Sequence, residues 1–273
     1  MREITSASNE IIKKTVQYAS KASARKEDGV FVAEGTKLVT EAPSSSVRRL
    51  FVSETCLSDL QKEKGKILEA FEKLCSSLGS DDVIKLPDHI FGKISTMKTP
   101  QGMLAVLDAP SYSEGDVCGK SVPLILVLED IQDPGNVGTI FRTAEAAGVS
   151  GIILTPGCAD PLSPKVVRSS MGAIYRVPFV IEDDLPGCIS RLEEKGITCY
   201  AARLDAAESY DKCDLASPCA LLIGNEGNGL SGKVIDKASK GIFIPMSGET
   251  ESLNAAVSAS ILTYEARRQR NDD

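Results

Sequence analysis

Apolar and polar positions along this chain fall into short blocks, and the blocks change character near residue 123. Beyond that point, strand-like runs of about five mostly apolar residues recur at 124–128, 151–155, 197–201, 219–223 and 241–245, the first of them unbroken, with a looser one at 175–180. Such runs fit strands buried on both faces of a parallel sheet. Helical patterns lie between them. Residues 139–147 read as a helix stopped by Gly148, and Ser163-Pro164 reads as an N-cap followed by proline at the first helical position. Residues 252–268 read as a terminal helix with Leu253, Val257, Ile261 and Tyr264 along one stripe. Ahead of residue 123, helical spacing appears at 9–19, 37–41 and 66–77, and strand patterns at 30–32, 50–53 and 102–107. Residues 109–122 are rich in turn formers. The expected plan is α/β: a smaller N-terminal α/β domain over 1–108, a linker over 109–122, and a parallel-sheet domain over 123–273.

Three of the strand patterns adjoin glycine-bearing loops. Asp133-Pro134-Gly135-Asn136-Val137-Gly138 follows 124–128, Arg168-Ser169-Ser170-Met171-Gly172 precedes 175–180, and Gly224-Asn225-Glu226-Gly227-Asn228-Gly229 follows 219–223. A fourth segment, Ile244-Pro245-Met246, leads towards Ser252-Leu253-Asn254 and the last helix. Glycine lets a backbone approach a ligand closely, and loops at the ends of parallel strands are where α/β folds bind ligands. Arg142 follows Asn136 by six residues, on the helix that the first loop opens.

Composition narrows the class. Hydrophobic content of 42% and charged content of 25% are those of an ordinary globular protein. No apolar run approaches the roughly 18 residues of a membrane span. The N-terminus has no apolar signal core, and Glu3, Glu10, Glu27 and Asp28 interrupt its basic residues, so a cytoplasmic protein is expected. The eight cysteines form no C-x-x-C pair and His89 is the single histidine, which leaves no zinc-type ligand set; no metal is expected. The net charge of -7 argues mildly against a nucleic-acid partner. Its distribution softens that. Residues 1–26 hold six basic residues, among them Lys13, Lys14, Arg25 and Lys26, against two acidic ones, a local balance of +4. One basic face can bind RNA while the rest of the surface is acidic; the plainer reading is a solvated helix face.

Common catalytic templates fail. The lone histidine lies outside the glycine-loop region, so a Ser-His-Asp or Cys-His base is unsupported there. The dinucleotide fingerprint G-x-G-x-x-G is missing after residues 124–128. Gly227 through Lys233 matches G-x-x-x-x-G-K, but Val234 stands where a phosphate-binding loop needs Ser or Thr, which disfavours an NTPase. What remains, short polar side chains and backbone amides around glycine loops, suits a nucleoside-like ligand and chemistry that depends on positioning.

Residues 128–148, containing Asp133-Pro-Gly-Asn-Val-Gly138 and Arg142, resemble motif one of the SpoU (TrmH-type) RNA ribose 2′-O-methyltransferases. Ser163-Pro-Lys-Val-Val-Arg-Ser-Ser-Met-Gly-Ala173 resembles motif two, and Gly224 to Leu230, Ile244 to Met246 and Ser252 to Asn254 together resemble motif three. Phe31-Val-Ala-Glu-Gly35 and Lys98-Thr-Pro-Gln-Gly-Met-Leu-Ala105 carry a looser likeness to the family's substrate-binding domain. The resemblance implies a SPOUT-type sheet threaded into a trefoil knot, a homodimer, S-adenosylmethionine as cofactor, and structured RNA as substrate. Large-subunit ribosomal RNA is the first expectation and transfer RNA the second; a catalytically silent RNA-binding protein of the same fold is the reading from another class.

The resemblance also assigns roles. Arg142 becomes the catalytic arginine acting on the ribose 2′-hydroxyl, with Asn136, Glu226, Ser252 and Asn254 beside it. A guanidinium can clamp a phosphate bidentately but is a poor free base. Without the resemblance, Arg142 reads as a surface ion pair with Glu145. Gly224, Asn225, Gly229, Ile244, Met246, Ser252, Leu253 and Asn254 become the cofactor wall. Arg168 and Ser170 face RNA or a partner subunit, and Arg168 has no obvious partner in its own segment.

Overall fold

The computed structural model describes residues 1–63, 65–249 and 252–270. The chain divides into two compact units: Met1–Pro110 with Leu162–Tyr175, and Ser111–Pro161 with the chain from Arg176 onward.

The first unit begins with β1 (Arg2–Glu3), α1 (Glu10–Ser20), α2 (Ala22–Asp28), β2 (Val30–Glu34), α3 (Thr36–Thr40) and β3 (Val47–Ser53). It continues through α4 (Glu54–Glu63), α5 (Lys66–Ser77), β4 (Val83–Leu86), α6 (Asp88–Ile94) and β5 (Met103–Asp108). Its five strands are ordered β1-β4-β3-β5-β2, with β5 antiparallel to both β3 and β2. Asn9 caps α1 by accepting from the Ile11 amide, and Ile12 of that helix enters a core with Val30, Phe51, Ile84 and Leu104. The sequence pattern finds α1, α3, α5 and the strands β2, β3 and β5. It misses α2, α4, α6 and β4, which are short and gain their order from burial on the sheet rather than from their own periodicity.

The second unit opens inside the expected linker. Ser113 and Asp116 form a capping box that starts α7 (Glu114–Val117), and Val117 is fully buried. Then follow β6 (Leu124–Leu128), α8 (Pro134–Ala147) and β7 (Gly151–Leu154). The chain next makes α9 (Pro164–Ser169), which belongs to the first unit and packs on β2. The second unit resumes with β8 (Phe179–Ile181), α10 (Leu185–Glu194), β9 (Thr198–Ala202), β10 (Glu208–Ser209) and β11 (Cys219–Ile223). It ends with α11 (Gly232–Ile235), β12 (Lys240–Phe243) and α12 (Ala255–Arg270).

The second unit's seven strands are all parallel, in the order β10-β12-β9-β11-β6-β7-β8. The apolar runs that mark β6 and β11 are buried at every residue, as a sheet covered on both faces requires. The order builds outward from β6 through β7 to β8, then crosses to β9; β11 later enters between β9 and β6. A cleft opens at the carboxyl ends of β9, β11 and β12, the end of an open α/β sheet at which ligands bind.

α8 starts earlier than its pattern suggests. Asp133 is its N-cap, accepting from the Gly135 amide at 2.6 Å and the Asn136 amide at 3.0 Å, and Pro134 sits at N1. Gly135 and Asn136 are therefore the first turn of a helix, not a loop. Gly148 ends α8 in the left-handed region, at φ +77°. α12 also differs in detail. Asn254, not Ser252, caps it, accepting from the amides of Ala256 at 2.9 Å and Val257 at 3.3 Å. Ala255, Ala256, Ala259, Leu262, Thr263 and Ala266 are its buried face, whereas Val257 and Tyr264 of the expected stripe are 46% and 51% exposed.

Candidate active site at the strand-end loops

The loop after β11 closes on itself. Asn225 and Gly229 exchange backbone hydrogen bonds of 3.0 and 2.9 Å, and a Cβ on Gly224 would lie 2.1 Å from the Gly229 carbonyl carbon. No side chain fits there, so glycine is required for the fold-back. Both ends of the Asn225 side chain are engaged: its oxygen accepts from the amides of Gly227 and Asn228, and its nitrogen donates to the Asp130 carbonyl at 2.8 Å. Asn225 thus shapes the loop and ties it to the segment after β6. Asp130 itself sits at φ +55° and takes the Thr155 hydroxyl at 2.6 Å, drawing the end of β7 into the same set.

Glu226 projects from this loop towards the first turn of α8. Its carboxylate accepts from the Asn136 side-chain amide at 2.8 Å and from the backbone amides of Gln132 at 3.3 Å and Asp133 at 3.4 Å. Partial burial alone would raise its pKa, but these donors outweigh burial and hold the carboxyl below its usual range. Asn136 passes the contact on, because its oxygen accepts from the Asn254 side chain at 3.0 Å. The chain Glu226–Asn136–Asn254 joins residues 90 and 118 positions apart in sequence, from β11's loop, α8 and the start of α12.

Beside this chain lies a cleft of about 440 Å³ within the second unit. Its walls are the end of β9 and the residues after it (Ala202 to Asp205), the loop from Gly224 to Leu230, Ile244 and Met246 after β12, and Ser252 and Leu253. All the residues expected on the cofactor wall line it except Asn254, which is hydrogen-bonded to the Asn136 that Glu226 holds. Apolar walls with backbone polar groups between them, at a volume typical of small-molecule sites, fit a nucleoside with an apolar tail. Arg203 and Asp205, paired at 3.0 Å, also line the cleft, although no motif points to them. They follow β9 in a stretch without glycine, so their only signal in the sequence is their position at a strand's carboxyl end.

Arg142 stands apart. It is exposed on α8, does not line the cleft, and makes no hydrogen bond or ion pair among the described residues. The alternative pairing with Glu145 does not form, because Arg176 takes that carboxylate, with a second contact at 3.1 Å. The basic residues of the first unit divide likewise. Lys13 pairs with Glu10 at 2.7 Å, and Lys14 pairs with Asp28 at 2.7 Å. Arg25 is buried, at 5% exposure, and donates to the Tyr18 carbonyl. Of these four cations, only Lys26 is exposed with no such contact among the described residues. Ser170 is also withdrawn: it is fully buried and its hydroxyl donates to the Val167 carbonyl at 2.7 Å. Arg168 is half-buried and donates to the Thr96 hydroxyl at 3.3 Å.

All eight cysteines are free thiols. Burial pushes Cys56, Cys213 and Cys219 up to about 11 and Cys188 to about 12, so they carry no thiolate chemistry at neutral pH. Glu114, Glu182 and Cys188 gather within metal-binding distance of one another, but Arg191 holds both carboxylates, at 3.0 and 2.7 Å, and Lys195 at 2.5 Å takes the other oxygen of Glu114. No helix among the described residues is long and apolar enough to cross a membrane.

A parallel sheet with a topological switch, a glycine fold-back and a nucleoside-sized cleft define an α/β protein built to bind a nucleoside-like ligand. Comparison with known proteins makes this specific. Residues 123–264 match the model of the SpoU rRNA Methylase family, and residues 9–105 match the MRM3-like substrate binding domain. The 23S rRNA (guanosine(2553)-2′-O)-methyltransferase RlmP of Bacillus subtilis is 30% identical over 98% of this chain and 100% of its own length. An uncharacterized tRNA/rRNA methyltransferase of Synechocystis sp. is 33% identical over 98% of this chain and 94% of its own. The SpoU methyltransferase AviRb from Streptomyces viridochromogenes, solved with the cofactor AdoMet, superposes with a TM-score of 0.83 at 26% identity, covering 97% of this chain and 100% of that one. This chain belongs to the SpoU rRNA methylase family, and S-adenosylmethionine is its methyl donor.

Proposed function

We propose that this protein transfers a methyl group to a ribose 2′-hydroxyl of large-subunit ribosomal RNA, working as a homodimer. The observation that carries the site assignment is the Glu226–Asn136–Asn254 chain beside the cleft. When bound, the cofactor supplies a sulfonium methyl already activated for transfer, so the chain's residues need only bind, align and help remove one proton. Gly224, Ile244, Met246 and Leu253 would hold the nucleoside part through backbone groups and apolar contact. Glu226 fixes Asn136, and Asn136 fixes Asn254, so that the start of α12 and the loop after β11 stay in register.

Arg142 is the catalytic arginine of this reading. Its guanidinium is free to grip a phosphate of the RNA and set the 2′-oxygen for attack. Arg168 is a further RNA contact. Cytoplasmic RNA is the natural substrate pool. The homodimer reading is supported by the exposed Val257 and Tyr264 on α12, an apolar face that a symmetric partner would cover. The order in which β11 and β12 enter the sheet, each between strands already laid down, supports the threaded path that the family resemblance implies.

The test is methyl transfer from labelled S-adenosylmethionine to unmodified large-subunit ribosomal RNA and to bulk transfer RNA, each made by transcription in vitro, followed by mapping of ribose methylation. Label confined to one site in ribosomal RNA is the expected result. Label in transfer RNA alone would replace the substrate, and cofactor binding with no transfer to either would favour a silent RNA-binding protein.

A further inference from the structure

We propose that Glu34 and Thr96 are positioning residues for Arg168, holding its guanidinium in the orientation that grips RNA; this rests on the RNA reading of Arg168 above. All three belong to the first unit. Residues 162–175, although they resemble a motif of the methyltransferase domain, fold with the substrate-binding unit: α9 packs on β2, and the Tyr175 hydroxyl donates to the Leu38 carbonyl at 3.1 Å.

Glu34 ends β2 and is 5% exposed. A buried carboxylate is costly unless donors surround it. Here three of them come from one short loop after α6. The Ser95 hydroxyl donates to one oxygen, while the Thr96 amide at 2.8 Å and the Thr96 hydroxyl at 2.9 Å donate to the other. The Ser95 oxygen in turn accepts from the Met97 amide at 3.1 Å.

The decisive point is the Thr96 hydroxyl. It has one proton, and Glu34 takes it. Its oxygen is therefore fixed as an acceptor, and Arg168 donates to it at 3.3 Å. That is the one side-chain hydrogen bond Arg168 makes among the described residues, and it spans 72 positions of sequence. A guanidinium has five N–H donors in a rigid fork, so anchoring one of them on Thr96 restricts the directions open to the rest. Lys98, exposed two residues beyond Thr96, adds a second cation on the same loop. Glu34 thus organises a loop that both orients Arg168 and presents a lysine, without itself meeting solvent.

The experiment measures steady-state methyl transfer to unmodified large-subunit ribosomal RNA transcribed in vitro, with cofactor affinity by calorimetry and thermal midpoints in parallel. Thr96→Val should raise KM for RNA about fivefold to tenfold with kcat and cofactor affinity nearly unchanged, and should lower the thermal midpoint because the buried Glu34 loses one of its donors. Thr96→Ser, which keeps the hydroxyl, should restore wild-type KM. The double variant Thr96→Val/Arg168→Ala should be no worse than Arg168→Ala alone, because Thr96 acts only through Arg168. Glu34→Gln should move KM in the same direction.

If Arg168→Ala lowers kcat/KM for RNA but Thr96→Val leaves KM within twofold of wild type, the positioning inference is wrong while the RNA reading of Arg168 survives. Additive effects in the double variant would likewise overturn it, giving Thr96 a contact of its own. If Arg168→Ala itself leaves RNA kinetics unchanged, the RNA reading of Arg168 falls and takes this inference with it.

Discussion

The loops at the carboxyl ends of β6, β9 and β11 and the basic stretch at the start of the first unit look alike in composition: both are polar and both offer candidate ligand contacts. In the folded chain they use their side chains differently. At the strand ends, Asn225 and Glu226 bind backbone and one another's neighbours, so the loops are tied to each other and the cleft is left open. In the basic stretch, Lys13, Lys14 and Arg25 are taken up by Glu10, Asp28 and the Tyr18 carbonyl. A count of charges overstates a binding surface whenever the charges have partners at hand. Arg142 on α8 and, in the basic stretch, Lys26 are exposed cations that make no ion pair among the described residues, so binding to phosphate there breaks no existing contact.

The strongest test of this contrast is Arg142→Ala. It should lower kcat/KM for RNA by about a hundredfold or more, the scale of losing a group that stabilises the transition state. Cofactor affinity should stay, and stability should change by about 0.5 kcal/mol or less because the side chain is exposed and unpaired. A single-turnover assay alongside a thermal melt checks both, and activity within a few-fold of wild type would remove Arg142 from the mechanism.

Next in size is Tyr264→Glu on the exposed face of α12. If a second chain covers that face, a buried unpaired carboxylate should split the dimer. Light scattering should then fall from twice 29.0 kDa to about 29.0 kDa, with loss of activity and unchanged circular dichroism. A wild-type protein that is fully active at the monomer mass would end the dimer reading.

Glu226→Gln probes the strand-end side of the comparison through pH. The folded carboxyl is held below its usual value, so it contributes stability that is complete above the unfolded value of about 4.3 and lost as pH falls through the lower folded value. The wild-type thermal midpoint should therefore drop more steeply than the variant's below about pH 4.5, and the two should run parallel above about pH 6. Equal slopes in acid would mean that the Asn136 contact does not depend on the charge.

The smallest effect expected is at Lys26. Lys26→Ala should weaken RNA binding slightly and reduce the slope of log affinity against log salt by about one, the signature of one lost phosphate contact. Lys14→Ala, whose ammonium already serves Asp28, should change the slope by less. Equal slopes for the two variants would show that ion pairing does not sort these lysines.

Much of the fold is legible in the amino-acid sequence. The buried strands β6 and β11 announce themselves as Leu-Ile-Leu-Val-Leu and Cys-Ala-Leu-Leu-Ile, because a two-sided sheet tolerates no polar position. Gly148 and Asp133-Pro134 mark the ends of α8 through local chemistry alone, although the Asp-Pro signal is easily mistaken for a turn. Gly224 and its neighbours mark a close backbone approach. Each is a property of residues near one another along the chain.

Other features are not legible there, for a common reason. That Asn254 caps α12 while also donating to Asn136, that Arg203 and Asp205 line the cleft, and that Arg25 is buried all depend on which distant segment arrives beside them. The same holds for Leu162–Tyr175, a segment whose sequence belongs with one domain's motifs and whose contacts lie in the other unit. Local patterning and short motifs were enough to specify the main strands, the end of α8 at Gly148 and the family. Which polar side chains are taken up and which stay free was settled by the folded chain alone, because a hydrogen bond between residues 90 or 118 positions apart has no local signature.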